Sequence, residues 1–230
     1  MQHRIGFLLV SIFLLGITSF PVAQTAVKPT LSNIEKDQKI NGFRADAVYL
    51  NDAGNPMGGR FIHDKTGFTL DLLQIESVPQ TYIWVNSLPL SNKGEPHTQE
   101  HLLITKGNKG HDLNTRESMS LAFSNAFTMQ TYTAYHFNTA AGADVFYQLF
   151  EGYLDALLHP DYTDEEVHRE VCNWGVAEDA ATKLLRIEEK GSVYNEMKTS
   201  MNNPYAQAYN SIGKLIYGNA HPMSYNAGGN

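Results

Sequence analysis

Residues 125–137 read NAFTMQTYTAYHF and residues 144–158 read DVFYQLFEGYLDALL, and the contrast between them decides the fold class. The first is dense in Thr, Tyr and Phe, which suit a pleated, half-buried surface, and it predicts one or two paired strands. The second repeats apolar residues at three- and four-residue spacing and is the best amphipathic helix in the chain. His159-Pro160 stops it. Upstream, residues 97–106 can form a helix, with Pro96 placed to open it and Gly107-Asn108-Lys109-Gly110 to end it. A short helix-like stretch follows. Earlier still, residues 43–50, 67–73 and 80–85 are strand candidates, and 51–56 (NDAGNP) is a turn signal. Downstream, 164–173 and 182–200 are further helix candidates. This order predicts an α+β domain, a mixed sheet with helices packed on one face.

The 230 residues are 42% hydrophobic and 18% charged, enough to bury one core or two small ones. A net charge of −7 without any useful Lys/Arg cluster argues against a nucleic-acid partner. Cys172 is the only cysteine, so an internal disulfide is impossible, and its run Glu170-Val171-Cys172-Asn173-Trp174 reads as a buried helix position. Residues 1–26 read as a signal peptide: Arg4 supplies a basic start, an uncharged apolar run spans 6–20, and small residues follow. That run is short of the roughly 20 residues a helix needs to cross a bilayer. The expectation is export, periplasmic or secreted, with no stable membrane insertion after cleavage.

His97-Thr98-Gln99-Glu100-His101 carries the chemistry. Positions i and i+4 share a helix face, so both imidazoles can reach one zinc ion. Glu100 shares that face, placed to take a proton from water at the metal. The same five residues also fit two partly exposed histidines on a solvated helix. A catalytic zinc needs a third protein ligand. The best candidate is Glu196, flanked by apolar Val193 and Met197; taken alone it also fits a solvated helix carboxylate.

Several segments, in order, resemble the pitrilysin (inverzincin) family of zinc metallopeptidases, and most of all its presequence-protease branch. Residues 94–101 (GEPHTQEH) resemble the entry to the family's active-site helix. Asn125-Ala126-Phe127-Thr128 followed by Tyr132-Thr133-Ala134-Tyr135 resembles its NAFT…YT-x-Y strand, and 190–198 (KGSVYNEMK) the stretch holding the third zinc ligand. Residues 221–229 (HPMSYNAGG) resemble the loop that follows.

The resemblance implies one Zn2+ per chain held by His97, His101 and Glu196, with Glu100 as general base in hydrolysis of short unstructured peptides. It places Asn125 and Ala126 on an edge strand that pairs with the peptide backbone, and Glu189 where relatives carry a carboxylate that orients a ligand. Residues 27–230 would be an incomplete N-terminal metallopeptidase domain, ending before its first domain is finished and lacking the C-terminal half that closes the chamber. The alternative is an inactive subunit serving peptide binding or assembly. Two features depart from the family pattern. The glycine after the second His comes one residue late, at Gly107, and Thr98-Gln99 replaces an apolar pair.

Overall fold

The computed structural model describes residues 31–229, which divide into two compact units after Glu76. The first is a four-stranded antiparallel sheet ordered β1-β2-β3-β4: β1 (Lys39–Ile40), β2 (Phe43–Leu50), β3 (Pro56–His63) and β4 (Thr69–Leu73). The turn expected at 51–56 is present, because the Asn51 carboxamide oxygen accepts from the Ala53 and Asn55 amides at 3.1 and 2.9 Å. Ile34, Ala45 and Phe61 form a small core on this sheet.

The second unit holds two further antiparallel sheets. One is three-stranded, ordered β5-β7-β6, from β5 (Gln80–Asn86), β6 (Ala122–Thr128) and β7 (Tyr132–Thr139). The other is the hairpin of β8 (Asn173–Glu178) and β9 (Leu185–Lys190). Six helices accompany them: α1 (Glu95–Thr105), α2 (Gly107–Met119), α3 (Ala143–Leu158), α4 (Asp164–Val171), α5 (Ser192–Met201) and α6 (Pro204–Tyr217). The α+β class expected from the sequence is the class of the structure, its strands shared among three antiparallel sheets.

Alternation along β7 turns Tyr135 and Phe137 toward the helices, where they meet Ile104 of α1, Leu113 of α2, and Leu149, Tyr153 and Ala156 of α3. This buried cluster fixes the back of α1 against the sheet. Burying each large apolar side chain there is worth about 1.5–3 kcal/mol.

Three local readings change. Gly107 ends α1 as expected, but α2 starts on the same residue. With φ at +69° it lets the chain turn between the helices, and an added Cβ would stand 2.2 Å from Asp161 Oδ1. Residues 182–200 are not one helix: 185–190 pair with β8, and Gly191 at φ +142° separates strand from helix. Cys172 is exposed, not buried, because it sits just past the end of α4 where the chain extends into β8. No helix among the described residues is long and apolar enough to cross a membrane.

Candidate metal centre

Pro96 in the first turn of α1 loses no hydrogen bond, since that amide has no partner inside the helix, and it starts the helix that carries His97, Glu100 and His101. The expected polar departure, Thr98-Gln99, has a local cause: Gln99 Nε2 donates to Tyr162 Oη at 3.0 Å. Leu102 and Ile104 of the same helix are nonetheless buried.

The two imidazoles meet edge to face, with ring centroids 4.7 Å apart and their Nε2 atoms at 3.1 Å. Glu196, on α5, brings Oε2 to 3.3 Å from His97 Nε2 and 3.5 Å from His101 Nε2. Thus two distant parts of the chain close on one point: His97, His101 and Glu196 form the one such three-ligand group among the described residues.

The other ring nitrogens have partners of their own. His97 Nδ1 lies 3.4 Å from the Gly228 carbonyl and His101 Nδ1 lies 2.8 Å from Glu170 Oε1. Both partners can accept, and an imidazole that donates to them from Nδ1 turns its Nε2 lone pair toward a shared cation. Two imidazole Nε2 atoms and a carboxylate oxygen therefore converge on one point, an arrangement a cation satisfies. The donor set suits zinc. A tetrahedral site with metal–ligand arms of about 2.0–2.1 Å has edges of about 3.3–3.4 Å, and the three separations here run from 3.1 to 3.5 Å.

Glu170, on α4, was not among the residues singled out from the sequence. Its side chain is 6% exposed and bridges His101 to Lys106 Nζ, the latter at 2.8 Å. Burial pushes its carboxyl pKa up, but hydrogen bonds from Lys106, His101 and Ser192 outweigh that and hold it below the ordinary range. The available signal was its place beside Val167 and Val171, a charge on the apolar side of α4. Glu189 occupies a different place: it is exposed on β9, hydrogen-bonded to Tyr194, and outside the cluster.

Glu100 Oε2 accepts from Thr128 Oγ1 at 2.6 Å, which ties the middle of the motif to the end of β6. Among the described residues that strand pairs only with β7, which leaves its other edge open. Asn125 and Ala126 lie on it, with the Asn125 carboxamide accepting from the Ala126 amide at 2.9 Å. The edge, the α1 face and Glu196 line one open cleft of about 990 Å3.

Fold and site together define an α+β domain with a His/His/Glu cluster that could hold a metal ion, beside an open strand edge. Comparison with known proteins gives this class its family context. No protein-family model matches the chain. The mitochondrial presequence protease of Yarrowia lipolytica is 35% identical over 146 residues, covering 61% of this chain and 14% of that protein. Its counterpart in Aspergillus oryzae is 31% identical over 182 residues, covering 74% of this chain and 17% of that protein. Crystalline pitrilysin superposes with a TM-score of 0.56 at 16% identity, over 82% of this chain and 19% of that one, a likeness of fold. These findings support a pitrilysin-family metallopeptidase-like fragment, matching only 14–17% of the length of the two presequence proteases. They also correct one expectation. The relatives are mitochondrial, which overturns export to the periplasm or external medium. The signal peptide read in residues 1–26 lies outside the described residues.

Proposed function

We propose that this chain is the zinc-binding portion of a metallopeptidase that hydrolyses short unstructured peptides, with His97, His101 and Glu196 as metal ligands. The observation that carries the reading is the convergence of two imidazole Nε2 atoms and one carboxylate oxygen within 3.5 Å. A zinc ion there would supply Lewis acidity, polarising a carbonyl and acidifying water. Glu100 accepts the proton of the attacking water and returns it to the leaving amine. Thr128 holds one Glu100 oxygen in place. Asn125 and Ala126 offer an open edge to an extended peptide, a mode that reads main chain and so accepts many sequences.

Glu170 positions His101. Replacing it with Ala is expected to weaken zinc binding by about 10–100-fold, the usual effect of losing a ligand's outer partner. Competition against a chromophoric chelator measures this, and unchanged affinity would remove Glu170 from the role.

The function is tested by metal content and by cleavage of a quenched fluorescent peptide, before and after chelation. One zinc per chain and cleavage abolished by chelator and restored by zinc are expected once the chain stands within a protein of the relatives' length. Failure of the folded chain to bind zinc would sink the reading. Zinc bound without turnover in that longer protein would assign it to peptide binding instead.

A further inference from the structure

The segment 221–229 (HPMSYNAGG) is singled out by the sequence, yet the function above gives it no task. It lies against the start of α1, and its Gly228 carbonyl is the acceptor for His97 Nδ1. Two side chains from distant parts of the chain pin it there. The Gln130 carboxamide donates to the Pro222 and Tyr225 carbonyls at 2.9 and 3.0 Å, and Asn92 Oδ1 accepts from the Asn226 amide at 2.9 Å. Asn226 Oδ1 in turn accepts from the Gly228 amide at 3.0 Å.

The approach of the two backbones depends on a missing side chain. Gly94, the N-cap of α1, has φ +73°, and an added Cβ would stand 2.4 Å from the Gly228 oxygen and 2.8 Å from the Gly229 nitrogen. Backbone atoms have no flexible end to swing away, so an alanine there must displace the carbonyl that His97 uses. On its other side Gly228 faces Met197, whose Sδ would lie 2.5 Å from an added Cβ. The residue that orients His97 therefore also packs against the neighbour of Glu196.

We propose that this loop is a backbone clamp that positions His97, with Gln130 and Asn92 as its anchors and Gly94 as the opening it needs. The inference rests on the zinc reading for its consequence, but its geometry can be tested without metal. His101 is held independently by Glu170. Loss of the clamp should therefore disturb one ring and spare the other.

The experiment uses the full chain as wild type, Gln130→Ala and Gly94→Ala. Imidazole 15N NMR of the metal-free protein reads the tautomer of each ring, and chelator competition reads zinc affinity. In Gln130→Ala the His97 signals are expected to leave the Nδ1-protonated pattern while those of His101 stay, with zinc binding weakened about tenfold. Gly94→Ala should do the same more strongly; should it not fold, Gln130→Ala alone decides. An unchanged His97 pattern, or equal change at both rings, would overturn the clamp. If the wild type binds no zinc, the metal reading fails while the NMR arm still judges the clamp.

Discussion

Glu100→Gln is expected to keep zinc and to lose peptide turnover by roughly 10²–10⁴-fold, the usual contribution of a positioned general base. The substitution is close to isosteric. Glutamine retains an oxygen able to accept from Thr128 Oγ1, now 2.6 Å from Glu100 Oε2, so the side chain has reason to stay where it is. What it lacks is a group that can take a proton from water near neutral pH. Glu100 is also absent from the converging ligand set, so zinc affinity should not follow the activity down. Metal content and single-turnover cleavage, measured on one preparation, separate these effects. Retained turnover would remove Glu100 as the base. Lost turnover together with lost zinc would instead point to a ligand or folding role.

The legible part of the site was the part written in helical spacing. His97 and His101 are one turn apart, so local geometry alone brings them together. Glu196 needed the family resemblance, because nothing within α5 says which distant element it meets. Glu170 is hard to single out because it lies in a short helix with several other acidic residues, opened by the Thr163–Glu166 capping box. Its place beside Val167 and Val171 hints that this carboxylate turns inward, and the fold supplies the partners, His101 and Lys106. Gly228 acts through a carbonyl that every residue possesses, so its identity marks only the space it leaves.

The fold divides similarly. Residues 144–158 and 125–137 announce α3 and the β6–β7 pair because local preference and burial agree there. The β8–β9 hairpin is not legible locally because Leu185–Lys190 (LRIEEK) is composed largely of good helix formers, and only pairing with Asn173–Glu178 makes it a strand. β3 carries Gly58-Gly59 in a short run, which hides an otherwise ordinary strand. In both cases tertiary pairing outweighs a propensity difference of less than about 1 kcal/mol per residue.

Tyr153→Ala is expected to cost about 3–5 kcal/mol of folding stability, the range for removing a fully buried aromatic. Tyr153 has no exposed surface and stacks on Phe137 with centroids 4.5 Å apart and planes 11° from parallel. Its hydroxyl donates to Glu117, whose other oxygen accepts from Ser124 at 2.9 Å. Burial, and then that bond to Glu117, raise the tyrosine pKa, so the ring stays neutral and keeps donating. Alanine removes the packing and leaves a buried carboxylate short of a donor. Tyr153→Phe keeps the ring and isolates the second loss, which should be about 1–3 kcal/mol. Against a total of roughly 5–15 kcal/mol for a typical domain, the alanine change is severe. Urea unfolding measures both variants, with a shifted midpoint and constant slope expected. The same cluster backs α1 through Ile104, so zinc affinity should fall in Tyr153→Ala and hold in Tyr153→Phe. An alanine variant losing less than about 1 kcal/mol would mean that the aromatic stack does not support the core.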